Sequence, residues 1–199
     1  MNNALIQFKE NLQRVRDLSH LINAIGSMTT SAIDLSDLLR SQIVLSVSAL
    51  DHFIHEYVRL GMLEIQRGVR APTDAYLRFQ IPLRVTHPTT AISSSDWLDD
   101  VIRERHSWLS FQHPDKVADA IRLISSEQLW KRVEDKLGIP ARDIKTRLSL
   151  IVDRRNKIAH EADMDPTNPG IRWPINLNMV NETIDFIERI VQTIFDITI

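Results

Sequence analysis

The sequence contains no cysteine. That excludes disulfides, thiolate metal sites and cysteine nucleophiles, and it fits a reducing compartment. Only five glycines occur in 199 residues, and none forms a glycine-rich phosphate loop or a Gly-x-Ser-x-Gly elbow. No nucleotidyltransferase signature is present either. Long apolar runs are also missing. The longest, Ile43 to Leu50, is broken by Ser46 and Ser48 and is far shorter than the roughly 20 residues of a membrane span. The N-terminus has no basic segment followed by an apolar core, so no signal peptide is expected and the reading is cytoplasmic and soluble, with no membrane partner. Charge of one sign is lacking as well. The formal net charge is -2, so no global basic field draws in nucleic acid, and any such site must come from a local cluster.

What is present is helical periodicity. The eight prolines leave long stretches free, and these read as helices. Leu5, Phe8, Leu12, Val15, Leu18, Ile22 and Ile25 recur at spacings of three and four, predicting a helix from Asn3 to Ile25 that ends at Gly26. A second helix is expected from Asp34, as N-cap, to Arg67. Its middle is apolar on nearly every side, which suits the centre of a bundle, and Gly61 is a place where it could bend. From Gly68 to Ser95 a short helix is expected at Thr73 to Phe79, then an extended loop. Further helices are expected from Ser95 to Trp108, Pro114 to Ile124 and Ser126 to Leu137. Pro140 suits the first turn of another, reaching Ala162. Asp165 to Pro174 reads as a loop, and Leu177 to Ile197 as the last helix. The expectation is all-α: one domain, 1–199, with a four-helix-bundle core at about 1–67 and 139–199 and an irregular, partly helical insertion at about 68–138.

The segment Leu148 to Glu161 carries the chemistry. On a helix, Ile144, Leu148, Ile151, Val152, Ile158, Ala159 and Ala162 form an apolar stripe, and Arg155 falls in its middle. A fully buried, unpaired arginine costs several kcal/mol, so something must pair with it or wet it. Two answers are open: an ion pair with Asp51 or Glu56 of the second helix, or a site that meets a phosphate. Asn156 and His160, four residues apart, share a helical face. Arg155 and His160 are about 140° apart around the axis, yet the long guanidinium arm can converge with the imidazole beside a phosphate.

Arg155-Asn156-Lys157-Ile158-Ala159-His160, preceded by Leu148-x-x-Ile151-Val152-x-x-Arg155, resembles the HEPN superfamily of ribonucleases. These are helical bundles with an arginine, a polar residue and then a histidine on the penultimate long helix. Ser48-Ala49-Leu50-Asp51-x-x-Ile54-His55-Glu56 is similar to the RiboL-PSP-type branch. The resemblance covers the first two and last two long helices and implies catalytic roles for Arg155, Asn156 and His160. It also implies a homodimer in which two such motifs face one cleft. The implied activity is RNA cleavage, in phage defence, as a toxin or in RNA processing. A non-catalytic HEPN-like module that binds RNA or a partner protein is the alternative. An antitoxin or regulatory partner would be a separate chain.

The residue types suit that chemistry. RNA carries its own nucleophile, the 2′-hydroxyl, so no cofactor or metal is required. Histidine moves protons near neutrality. Arginine offers a permanent charge and a planar fork for phosphate oxygens. Asparagine orients without titrating. Six basic residues lie between Arg142 and Lys157, opposed only by Asp143 and Asp153; Arg147, Arg154 and Lys157 are the candidates for RNA phosphate. Asp51 with His55, and His52 with Glu56, have i, i+4 spacing, but no third convergent ligand is identifiable. Asp51, His55 and Glu56 are therefore expected behind the site rather than as metal ligands. His20, His87, His106 and His113 receive no role. Trp97, Trp108, Trp130 and Trp173 are expected to anchor packing.

Overall fold

The computed structural model describes residues 1–28, 33–85 and 97–199, and these are all-helical apart from one isolated bridge between Met164 and Arg172. The helices are α1 (Asn2–Met28), α2 (Ser36–Gln66), α3 (Asp74–Leu77), α4 (Trp97–His106), α5 (Pro114–Ile121), α6 (Leu129–Leu137), α7 (Ala141–Glu161) and α8 (Leu177–Thr198). None is long and apolar enough to cross a membrane among the described residues.

Helix α2 is the hub. It packs on α1, α7 and α8 and also on α4 and α5. Val47, Ile54, Tyr57, Val58 and Met62 are fully buried along it. Its middle is nevertheless not covered on every side: Leu45 is 45% exposed and Ser48 also faces out. Gly61 lies inside one continuous helix. Its lack of a side chain admits Ile124, whose Cγ2 would lie 2.7 Å from an added Cβ. Gly26 likewise lies inside α1 rather than ending it. Asp34 is not the N-cap, which is Leu35, but its Oδ1 accepts the Ser36 N–H at 2.8 Å and so satisfies one free donor of the first turn. The expected cap Ser95 lies outside the described residues.

The segment between α2 and α7 shares the core. Val117, Ile121 and Ile124 after α2, and Val133 of α6, are buried in the same hydrophobic cluster as α2 and α8. Trp130 of α6 donates its Nε1–H to the Pro114 carbonyl at 3.0 Å, joining α6 to the start of α5. Thr73 caps α3 through its Oγ1 and donates to the Arg122 carbonyl. Tyr57 and Thr198 share a hydrogen bond at 2.7 Å, which fixes the end of α8 on α2.

A ring cluster seats the turn after α4. His106 is 5% exposed, and its ring lies 5.3 Å from Phe111, 6.0 Å from Phe79 and 6.1 Å from His55. Burial first, and the neighbouring His55 second, push its pKa from 6.5 down to about 4. His106 thus stays neutral in the fold while the unfolded chain takes up a proton. Stability is full above pH 6.5, falls as the pH drops through that value and levels off below about 4. The total loss is about 3 kcal/mol. Urea melts across this range should show the decline, and His106→Leu should flatten that part of the profile. An unchanged slope in the variant would assign the acid sensitivity to other groups.

Candidate functional site

Helix α7 forms because its apolar residues recur on one face, and it ends at Ala162, whose backbone turns left-handed. Ile144, Leu148, Ile151 and Val152 are buried; Ile158 is half-buried, and Ala159 and Ala162 are exposed. The buried stripe therefore ends before Arg155. The arginine that looks misplaced in the sequence stands where the core gives way to solvent.

The two adjacent arginines have different fates. Asp163, 0% exposed, accepts hydrogen bonds from Arg40 Nε at 2.7 Å and from Arg154 Nη2 at 2.8 Å. Arg40 and Arg154 also donate to the Trp173 carbonyl, at 2.9 and 3.3 Å. Arg154 is thus turned inward and is not a free phosphate ligand, contrary to the expectation from sequence. The chain bends to make this contact: Ala162 and Asp163 have φ of 50° and 59°, the left-handed region that costs non-glycine residues roughly 1–2 kcal/mol each. Two charge-assisted hydrogen bonds to a buried carboxylate offset that strain. The Asp163 N–H returns to the Lys157 carbonyl and the Trp173 N–H to the Asp163 carbonyl, so the loop after α7 is held against α2.

Arg155 has no carboxylate among the described residues. Its Nη1 donates to Asn156 Oδ1 at 2.8 Å, and its Nε is buried without a partner. Asp51 and Glu56 do not pair with it. Asp51 accepts from the Phe111 N–H at 2.6 Å and from Gln112 Nε2, and lies 3.8 Å from His55 Nε2. His55 packs its ring on Phe111 at 4.5 Å. Glu56 is held by Arg59 and by Arg103. Burial raises the Glu56 pKa, but the Arg59 hydrogen bond and the arginine charges outweigh it and keep the group below its usual range. Asp51 and His55 seat the segment around Phe111 against α2, and Phe111 lines the cleft beside Arg155, whereas Glu56 ties α2 to α4 through Arg103 and does not reach that segment. Among the described residues no three histidine, aspartate or glutamate side chains converge as a cation site.

That cleft has a volume of about 510 Å³ and lies between α7 and the segment from Trp108 to Asp119. Arg155 and Asn156 line one wall, and Trp108, Phe111, His113 and Lys116 belong to the other. His160 is outside it, exposed on the last turn of α7 with no hydrogen-bond partner among the described residues. Arg147 lies over the Phe186 ring at 4.6 Å and donates to the Glu182 carbonyl, on α8 and away from the cleft. Lys157 places its ammonium 5.5 Å from the Trp173 ring. Lys145 pairs with Asp115 at 2.8 Å. The six basic residues therefore do not form one patch. Trp108, His113 and Lys116 were not legible as site residues, because nothing in their local pattern points across to α7.

A family model described as RiboL-PSP-HEPN matches residues 9–199. The chain belongs to the RiboL-PSP-HEPN family. Comparison with curated proteins and with solved structures gave no match. Within the HEPN motif, Arg155 and Asn156 share one cleft wall and His160 stands a turn beyond.

The contrast between neighbouring arginines is measurable. Arg40→Ala takes from the buried Asp163 carboxylate one of its two arginines, leaving Arg154, and should cost about 1.5–3 kcal/mol, lowering the melting temperature by roughly 3–12 °C. Arg155→Ala removes a cation that pairs with no carboxylate among the described residues and should change stability by less than about 1 kcal/mol. Thermal melts of both variants check this, and a large loss at Arg155 would make it a structural residue.

Proposed function

We propose that the protein is an RNA endonuclease that cleaves by attack of the substrate's own 2′-hydroxyl, without need of a metal. The observation that supports this most strongly is Arg155. It is a guanidinium with no carboxylate among the described residues, steadied by Asn156 at the wall of a cleft, on the helix that carries the Arg-Asn-x-x-x-His run. A scissile phosphate is the partner such a fork lacks.

In this reading His160 of one protomer takes the 2′-hydroxyl proton. The 2′-oxygen attacks phosphorus, and Arg155 stabilises the charge that develops on the phosphorane oxygens. The P–O5′ bond breaks, and the 5′-oxygen receives a proton from His160 of a second copy, which began as an imidazolium. The products are a 2′,3′-cyclic phosphate and a 5′-hydroxyl. One motif supplies one proton-transfer group, so the mechanism calls for a homodimer. Lys157 remains a candidate contact to the RNA backbone. The activity fits phage defence, a toxin or RNA processing, and any antitoxin or regulatory partner would be a separate chain.

The test is cleavage of RNA in EDTA. Wild type should cut, and His160→Ala should lose at least about a hundredfold in rate, the usual worth of a proton-transfer group. A substrate with a 2′-deoxy sugar at the cut position should be inert, and its cleavage would sink the mechanism. RNA binding without cleavage would favour a non-catalytic HEPN-like module instead. Sedimentation at micromolar concentration should give a dimer, and a monomer there would remove the second histidine.

A further inference from the structure

We infer that the wall facing Arg155 is a binding track for unpaired RNA, with Trp108 as the platform on which a base stacks. The inference rests on the reading of Arg155 as a phosphate-binding group and names the substrate class for that same site.

Three observations carry it. Trp108 is 75% exposed, unlike Trp130, which is 8% exposed and hydrogen-bonded in the core. A tryptophan left in water exposes a large apolar face, and this one lies in the wall of a cleft. Trp108 also borders a second cleft of about 390 Å³, which shares Leu109, Phe111 and Asp119 with the first. The two volumes therefore adjoin, and Trp108 lines both. Each falls in the range of roughly 300–1,000 Å³ typical of small-molecule sites.

Charge is the third observation. Arg155 and Lys116 line the first cleft; Arg78 and Arg105 line the second. None of these four forms an ion pair with a described residue, whereas the carboxylate common to both clefts, Asp119, is paired with Arg122 at 2.7 Å. Asp153 is the other carboxylate in the walls. Cations in clefts that share an exposed aromatic are an arrangement that holds single-stranded nucleic acid, with phosphates on the cations and a base on the ring. A duplex keeps its bases stacked on one another and cannot offer one to Trp108.

The experiment measures binding apart from cleavage. In the His160→Ala background, a short fluorescein-labelled RNA of mixed sequence is titrated, single-stranded and annealed to its complement, with anisotropy as the readout. The single strand should bind more tightly than the duplex. Adding Trp108→Ala should weaken single-strand binding roughly tenfold, the order expected from loss of one base–aromatic stack. Trp108→Phe should restore most of that loss, and the indole fluorescence should be quenched on binding. Equal affinity for duplex, undiminished binding by Trp108→Ala, or no RNA binding by the parent would each overturn the inference. A protein that binds in this way but whose wild type never cleaves RNA would overturn the catalytic reading and leave the track standing.

Discussion

Much of the site geometry depends on one buried carboxylate. Asp163 sits just past the last turn of α7, in a left-handed conformation, with Arg40 of α2 on one side and Arg154 of α7 on the other. A buried ion pair of this kind is weak evidence for net stability, because desolvation offsets most of its attraction. What it does is fix geometry. It ties the end of α7 to α2 and the following loop to both, and it satisfies Arg154. With Arg154 held inward, Arg155, one residue and about 100° further round the axis, projects into the cleft. The terminal turn that presents His160 is held from the same point.

The core explains why the cleft can exist there. Burial along α7 is complete at Leu148 and Val152 and gone by Ala159. The segment after α4 fills part of the space beside the helix, seated by Asp51 hydrogen bonds and by the His55, His106 and Phe111 rings. Arg155 and Asn156 therefore face a wall of ordered polypeptide. An active site needs its groups placed by rigid neighbours, and both walls here rest on α2.

The helices were legible because their periodicity is strong and prolines punctuate them; α7 begins one residue after Pro140, and α8 matches its predicted span to within a residue. The motif was legible as residue types at a spacing. The partner of each arginine was not. Arg154 and Arg155 look alike in sequence, and what distinguishes them is Asp163, reached only through a backbone turn that helical periodicity does not encode. The stripe through Ile158, Ala159 and Ala162 was read as core because small apolar residues are compatible with burial without requiring it. Trp108 was read as a packing residue for the same reason: its type favours burial, and only tertiary structure leaves it in solvent. The family match and the helical fold of the described residues agree on a HEPN chain, while the proposed chemistry rests on the residues around Arg155.

The central claim is that Arg155 and His160 serve an attack by the 2′-oxygen of RNA. Mass spectrometry of the ends produced from a defined RNA tests it most directly. The account predicts a 2′,3′-cyclic phosphate on the upstream fragment and a 5′-hydroxyl on the downstream one. A 3′-hydroxyl with a 5′-phosphate would contradict it, because those ends require water rather than the ribose as the nucleophile.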